Sequence, residues 1–222
     1  MEQAIKGSDV SKFQPKIDYA EMAKLGGRFL YIKGTEGATY VDPLVVSHIH
    51  GAYQNNILCG LYHFYHPTRT PESQADNFCK LLELYKNQLF LPPVLDLETD
   101  DTIRDENRQL KRPGVPSAQI RDDSRKFCTL VEARSGHAVT LYTYPNFASA
   151  HALGSALGAS QPLWIAHYGV KTPIIPQGWA SAKLWQYTGH GRIHPIAGGT
   201  QDADLDVFLG SEDDFSHWYK SL

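Results

Sequence analysis

The chain has 222 residues, of which 42% are hydrophobic and 20% charged, and its formal net charge is -3. This composition is typical of a globular protein with a sizeable core, and it excludes a disordered chain and a strongly basic nucleic-acid-binding surface. Three widely spaced cysteines do not resemble the dense framework of a disulfide-stapled mini-protein. No apolar run reaches the roughly 18 residues of a membrane-spanning helix. We therefore expect a single domain over residues 1–222, a monomer that neither binds nucleic acid nor inserts into a membrane.

Short apolar runs rich in β-branched and aromatic residues recur along the chain and predict strands. Pro92 and Pro93 stand at the entrance of the fourth run, where a strand tolerates proline. The predicted strands cover residues 5–10, 29–33, 58–65, 91–98, 139–144, 163–168, 182–187 and 204–208.

Helical patterns separate the early strands. Thr70 before Pro71 has the sequence of an N-cap followed by a first helical residue, and Asp42 before Pro43 has the same pattern. The predicted helices cover residues 18–25, 43–54, 71–85 and 117–134.

The alternation of strands and helices favours an α/β fold with a mostly parallel sheet. We count about five strand–helix units and then about three strands joined by turn-rich loops. This number of strands is enough to close a TIM-like barrel. In such a barrel, polar residues at the carboxyl ends of the strands form the site.

Acidic residues stand at or near the ends of several predicted strands. They are Asp9, Glu36, Asp96, Glu98, Asp204 and Asp206.

Asp96 and Glu98 are the most informative of these acids. Residues two apart in a strand share a face, so their carboxyls lie side by side while Leu95 and Leu97 point the other way. Mutual repulsion should raise the pKa of one of them, which suits a general acid acting on an acetal oxygen. The alternative is a structural pair of acids neutralised by arginine or lysine.

Other chemistries find less support in the sequence. It contains no Gly-x-Ser-x-Gly nucleophile elbow, no Walker-type phosphate loop and no strong zinc-ligand spacing. We therefore expect neither a cofactor nor a catalytic metal.

A series of short motifs resembles, in family order and over nearly the whole chain, the lysozymes of glycoside hydrolase family 25. The motifs are DVS at residues 9–11, FLYIKGTEG at 29–37, YVDP at 40–43, GLYHF at 60–64, DLE at 96–98, WIA at 164–166, WQY at 185–187 and DLDVF at 204–208.

The resemblance implies a modified (β/α)5(β)3 barrel and N-acetylmuramidase activity on peptidoglycan. It implies that Glu98 is the proton donor and that Asp96 assists the substrate acetamido group or stabilises the oxocarbenium-like centre. Asp9 and Asp204 match the other two acids of the site. Glu36 matches a recurrent acid with a structural or substrate-positioning role.

We predict a retaining, substrate-assisted reaction, because the N-acetyl carbonyl oxygen of the substrate can itself act as the nucleophile. Aromatic side chains should line the groove and stack on sugar faces, although each of them could instead belong to the core. The candidates are Tyr62, Tyr142, Trp164 and Trp185, with Tyr62 and Trp185 preferred as substrate contacts.

The chain departs from the family pattern in places. Asp206 stands where the family often has asparagine, and the charged stretch 99–116 suggests a lid or a specificity loop. We expect no separate wall-binding module. The alternatives in function are an inactive glycan-binding relative and a glycosidase acting on another N-acetylated polymer such as chitin.

The amino-terminal residues lack the apolar segment of a signal peptide. We therefore expect synthesis in the cytoplasm, followed by release to the bacterial cell wall through a holin or another route. This setting suits an endolysin-like, bacteriolytic enzyme. A secreted form from which the signal has been removed is the alternative.

Overall fold

The structure, a computed structural model, describes residues 4–191 and 203–220. Its strands are β1 (Ile5–Val10), β2 (Gly27–Glu36), β3 (Tyr40–Val41), β4 (Leu58–Phe64), β5 (Val94–Asp96), β6 (Ile103–Arg104), β7 (Leu110–Arg112), β8 (Thr140–Thr143), β9 (Leu163–Ala166), β10 (Leu184–Gly191) and β11 (Ala203–Phe208). Its helices are α1 (Tyr19–Lys24), α2 (Val45–Gln54), α3 (Pro71–Tyr85), α4 (Ser117–Ser135), α5 (Pro145–Ala150), α6 (Gly154–Leu157) and α7 (Glu212–Lys220).

Eight of the strands form a closed barrel. Their order is β1, β2, β4, β5, β8, β9, β10 and β11, and β11 pairs with β1 to complete the circle. All of the pairs are parallel except the two made by β11. Helices follow each of the first five barrel strands, whereas the described residues contain none between β9 and β11. The predicted barrel of five strand–helix units and three further strands is confirmed.

Strand side chains alternate between the barrel interior and the surrounding helices, because successive residues point to opposite faces. On β2, Phe29 and Tyr31 belong to an interior cluster, whereas Leu30 and Ile32 pack in an outer cluster. Trp164 also lies in the interior, with its ring 4.9 Å from that of Tyr31. Both faces of the sheet are therefore buried, as a barrel covered by helices requires.

Helix α7 packs against the end of the barrel where the parallel strands begin. Ile5, the first residue of β1, pairs with Phe208, the last residue of the antiparallel β11. Phe215 of α7 lies 5.1 Å from the Phe208 ring and 5.9 Å from the Phe29 ring, and Trp218 joins the same interior cluster. This end is filled by aromatic side chains, so the polar residues of the interior lie toward the opposite end.

The four predicted helices are present as α1 to α4, and only the predicted start of α2 is wrong. Thr70 caps α3 by accepting a hydrogen bond from the Ser73 backbone. Asp42 does not cap α2, which begins at Val45. Its two carboxylate oxygens instead accept from the backbone N–H groups of Lys12, at 3.0 Å, and Leu44, at 2.9 Å. The predicted cap is therefore wrong, because Asp42 joins this turn to the loop after β1.

Among the described residues, none of the helices combines the length and the apolar composition that crossing a bilayer requires.

Candidate active site

A cavity of about 300 Å³ opens where the parallel barrel strands end. Asp9, Asp96 and Asp204 line it from β1, β5 and β11, and Asp9 lies opposite Asp204 in the strand register. Glu98 follows β5 by two residues and lines the same cavity as Asp96. The structure therefore brings together the four acids that the family resemblance assigns to the site.

Asp96 and Glu98 form a buried carboxyl pair. Asp96 is 6% exposed, and its Oδ1 has no hydrogen-bond partner among the described residues. Burial, and then repulsion from Glu98, hold the pKa of Asp96 well above its usual range. Burial also raises the pKa of Glu98. The positive charge of Lys33 opposes this rise, and repulsion from Asp204 adds to it. The pair therefore keeps a proton to higher pH than free carboxyl groups do, which is the direction that general acid catalysis needs.

A hydrogen-bonded network orients Asp9. Gln186 Nε2 donates to Asp9 Oδ2 at 2.6 Å, and Gln186 Oε1 accepts from the hydroxyls of Tyr142, at 2.9 Å, and Tyr168. Burial, and then the neighbouring Asp204, raise the pKa of Asp9 to about 8, although the Gln186 hydrogen bond favours the ionised form. Burial likewise raises the pKa of Asp204. The second half of the acid cluster therefore also tends to retain protons.

Lys33 is the only cationic side chain among the described residues that line this cavity. Its Nζ lies 2.6 Å from Glu36 Oε2 and 4.8 Å from the centre of the Phe64 ring. Glu36 also contacts His66 Nε2 at 3.0 Å. Burial opposes ionisation of Glu36, but the hydrogen bonds from Lys33 and His66 outweigh it and lower the pKa of Glu36. Glu36 itself does not line the cavity, and it contacts the site through Lys33.

Residues 8–196 match the family model described as Glycosyl hydrolases family 25. The chain belongs to this family. It is a glycoside hydrolase, and the resemblance carried by its motifs is confirmed.

Relatives of this family 25 hydrolase cover most of its length. The protein named Lysozyme M1, from Streptomyces globisporus, is 31% identical over 211 residues, which cover 93% of this chain and 68% of that protein. An N,O-diacetylmuramidase from Chalaropsis sp is 31% identical over 82% of this chain and 87% of its own length. The crystal structure of the bacterial lysozyme from Streptomyces coelicolor superposes with a TM-score of 0.82 at 29% identity, covering 99% of this chain and 98% of that one.

Three of the four predicted aromatic contacts line the cavity of this family 25 barrel: Tyr62, Tyr142 and Trp164. Trp185 lies elsewhere. It packs against the outer cluster and donates its indole N–H to the His167 carbonyl at 2.9 Å. The prediction of Trp185 as a substrate contact is therefore wrong. Successive residues of a strand point to opposite faces, so Trp185 points outward because its neighbour Gln186 points into the barrel.

The structure adds cavity-lining residues that the sequence reasoning did not select. Gln186 stands in the WQY motif, where strand alternation shows that Gln186 and Trp185 face opposite ways but not which of them faces the cavity. Phe13 and Tyr168 lie in loops beyond strand ends, where no periodicity indicates direction. Phe13 is 69% exposed although it is fully apolar, which gives the cavity an aromatic edge.

A second cavity of about 340 Å³ adjoins the first and shares three lining residues with it: Glu98, Tyr142 and Tyr168. Tyr144 and Ile174 line its far part. Glu98 therefore lies at the junction of two adjoining cavities.

The charged stretch 99–116 contains the β6–β7 hairpin. Asp101 anchors it by accepting from Thr68, with distances of 2.9 Å from the backbone N and 2.6 Å from Oγ1, and by contacting His66 Nδ1 at 2.8 Å. Neither cavity is lined by residues 99–116. The anchor connects the hairpin to the site only indirectly, through His66, Glu36 and Lys33. The predicted role of this stretch as a lid or specificity loop stays a prediction.

A larger cavity of about 420 Å³ lies between α3 and α4, away from the acid cluster. The two acids that line it, Asp76 and Glu83, are paired with Arg134 and Lys86. It therefore offers no free acid pair. In the part of the chain that the structure describes, no three metal-ligating side chains are grouped as a metal site would require.

Proposed function

We propose that this family 25 hydrolase cleaves peptidoglycan at the β-1,4 bond between N-acetylmuramic acid and N-acetylglucosamine. The observation that carries the proposal is the position of Glu98 at the junction of the two cavities, beside Asp96 and within the acid cluster. A glycan strand laid across this junction would have one sugar in each cavity and the bridging oxygen beside Glu98. Relatives named lysozyme and N,O-diacetylmuramidase support a wall glycan as the substrate class.

The first step uses Glu98 as a general acid. Its proton passes to the bridging oxygen as the bond from that oxygen to the muramic acid C1 breaks, and the N-acetylglucosamine side leaves with a free hydroxyl. The acetamido carbonyl oxygen of the muramic acid attacks C1 from the opposite face. The product of this step is a cyclic oxazolinium ion and an ionised Glu98.

Asp96 would support this step through its unpartnered Oδ1. The acetamido N–H can donate to this oxygen, and positive charge grows on the acetamido group as the ring closes. That charge favours the ionised form of Asp96, so the proton retained by the carboxyl pair resides on Glu98 when it is needed. Burial increases this electrostatic effect because the surrounding dielectric is low.

In the second step, ionised Glu98 takes a proton from a water molecule that attacks C1 and opens the oxazolinium ring. The acetamido group is regenerated and Glu98 is again protonated. Two inversions at C1 give net retention of the β configuration. Proton NMR of the first-formed product tests this mechanism: the β anomer is expected, and an initial α anomer would overturn the assisted route.

Clearing of a purified peptidoglycan suspension tests the activity itself. Glu98→Gln keeps the shape of the side chain but has no proton to donate, and we expect at least about a hundredfold loss of lysis. Glu83→Gln, an exposed change on α3, is the matched control and should lyse as the wild type does. Mass spectrometry should find muramic acid at the new reducing ends.

Two results would overturn the proposal. Release of fragments from chitin but not from peptidoglycan would assign a different polymer. Binding to peptidoglycan without any fragment release would assign a glycan-binding protein.

A further inference from the structure

Asp206 is a buried acid for which the proposed reaction has no use. It is 0% exposed, and it lies on β11 in register with Gly7 of β1 and Gln186 of β10. Trp164 Nε1 donates to its Oδ1 at 2.9 Å. Strand alternation places Asp206 on the same face as Asp204, one layer deeper in the barrel. It therefore lies in the interior, beneath the floor of the site.

The second oxygen of Asp206 has no donor in the part of the chain that the structure describes, and Asp206 lies beside another acid. Its Oδ2 has no N–H or O–H donor among the described residues, and the Asp9 carboxyl lies within hydrogen-bond reach of Asp206. Two carboxylates in such contact repel each other strongly, whereas a proton between them makes one a donor and the other an acceptor. Each of the two carboxyls accepts one N–H donor, Asp9 from Gln186 and Asp206 from Trp164, but Asp206 is fully buried whereas Asp9 lines the cavity. Ionisation is therefore more costly at Asp206 than at Asp9. The proton therefore belongs on Asp206 Oδ2.

We propose that Asp206 is a positioning residue that stays uncharged and donates a hydrogen bond from Oδ2 to the Asp9 carboxylate. Together with the Gln186 amide, it fixes the direction in which Asp9 faces the bound sugar. The inference rests on the proposed function only in taking Asp9 to act on that sugar. The protonation of Asp206 is independent of the substrate.

The surroundings of Asp206 support an uncharged form. The charges that act on it are those of Asp9 and Asp204, both acids. Burial, followed by the repulsion from Asp9, holds the pKa of Asp206 well above its usual range, although the hydrogen bond from Trp164 favours the ionised form. His190, on β10, acts on Asp204. The other titratable groups that Asp206 affects are the phenols Tyr31, Tyr168 and Tyr187.

Two substitutions separate a donor from a mere space-filling side chain. Asp206→Asn keeps the shape, still accepts from Trp164, and donates to Asp9 without needing a proton. Asp206→Val fills similar space but cannot donate. We expect Asp206→Asn to keep kcat within about threefold of wild type and Asp206→Val to lose about tenfold or more in kcat with KM little changed. Asp213→Asn, on the exposed face of α7, is the matched control.

Thermal unfolding checks that each variant is folded before its kinetics are interpreted. Equal losses of kcat in folded Asp206→Asn and Asp206→Val would overturn the proposal, since the donor would then contribute nothing. Full activity of Asp206→Val would overturn it as well.

Infrared spectroscopy provides a readout that does not depend on any substrate. The difference spectrum of wild type minus Asp206→Asn at neutral pH should contain the carbonyl stretch of a protonated carboxyl. A carboxylate band in its place would overturn the proposal whatever the kinetics show. If the protonated band is present and the wild type fails to lyse peptidoglycan, the proposed function fails and the assignment of the proton stands.

Discussion

Gln186 on β10 and Asp9 on β1 are 177 positions apart in the chain and are joined by a 2.6 Å hydrogen bond. In the barrel, β11 lies between these two strands, so the Gln186 side chain reaches across it on the interior side. The same amide accepts hydrogen bonds from Tyr142 and Tyr168, which line the site. One buried side chain thus sets the orientation of a candidate acid and of two aromatic walls.

Replacing Gln186 should therefore impair turnover more than folding. Gln186→Leu removes the donor to Asp9 and the acceptor for both tyrosines, and we expect a loss of about tenfold to a hundredfold in kcat/KM. Gln186→Glu keeps the acceptor but adds a fifth carboxyl to the four of the acid cluster, so its loss should be larger at high pH than at low pH. Steady-state kinetics on soluble glycan fragments provide the measurement.

Gln119→Leu is the control for these variants, because Gln119 lies on the exposed face of α4, where its side-chain amide donates to Asp123. Wild-type kinetics in Gln186→Leu would show that Asp9 needs no fixed orientation.

Lys33 should tune the pH range in which the enzyme works. Its charge opposes the burial that raises the pKa of Asp96 and Glu98. Lys33→Met removes the charge, which disfavours the anionic forms further and raises both pKa values. Glu98 should then keep its proton to higher pH, so the alkaline limb of kcat/KM should move upward by about one pH unit.

The comparison requires pH–rate profiles of Lys33→Met and of Lys24→Met, an exposed change on α1 that should leave the profile in place. A downward shift of the alkaline limb in Lys33→Met would show that the charge of Lys33 does not favour ionisation of Asp96 and Glu98.

Phe13 should contribute to substrate binding rather than to stability. It is 69% exposed at the edge of the cavity, so its removal uncovers no core. If its ring packs on a sugar face, Phe13→Ala should raise KM about threefold to tenfold and leave kcat and the melting temperature nearly unchanged. Leu84→Ala, which truncates an equally exposed side chain on α3, is the control. A fall in melting temperature without any change in KM would assign Phe13 to packing.

Much of the barrel is predictable from the sequence because local patterns encode it. The period-two alternation of β2 separates Phe29 and Tyr31 from Leu30 and Ile32, and the cap and proline at Thr70 and Pro71 fix the start of α3. Helix α7 is harder to predict. Its apolar face is completed only by contacts such as Phe215 with Phe29, which lies 186 positions earlier and is brought there by closure of the barrel.

The acids of the site are predictable for the same reason, since Asp96 and Glu98 follow strand periodicity. The side chains that distant strands or loops contribute as partners to these acids cannot be predicted in this way. Nothing local in the sequence indicates that Gln186 meets Asp9, or that Trp185 turns away from the cavity beside it. Resemblance to family motifs identifies the strands that carry these residues. Only the pairing register of the strands in the folded barrel determines which of their side chains face inward.

The His66 cluster gives a prediction about local stability. His66 joins Glu36 of β2 to Asp101 of the hairpin segment, at 3.0 Å and 2.8 Å. Burial opposes the charged imidazole, but hydrogen bonds to Asp101 and Glu36 outweigh it and raise the pKa of His66, whereas the pKa values of Asp101 and Glu36 are lowered. His66 contributes its full stabilisation below the pKa that it has in the unfolded chain, and this contribution is lost as the pH rises through its raised pKa in the folded protein. Glu36 and Asp101 contribute their full stabilisation above the pKa values that they have in the unfolded chain, and this contribution is lost as the pH falls through their lowered pKa values in the folded protein. The anchor should therefore be strongest between about pH 4.5 and 6.5.

Amide hydrogen exchange over residues 99–112, corrected for the intrinsic pH dependence of exchange, measures this anchor. Protection should be greater at pH 5.5 than at pH 8.5 in the wild type, because the imidazolium that bridges the two acids is present only at the lower pH. His66→Gln carries no charge at either pH, so its protection should be low and similar at both values. His50→Gln, on the exposed side of α2, should behave as the wild type does. Equal protection of the wild type at the two pH values would show that the hairpin is held by Thr68 and the backbone contacts of Asp101 rather than by the charge on His66.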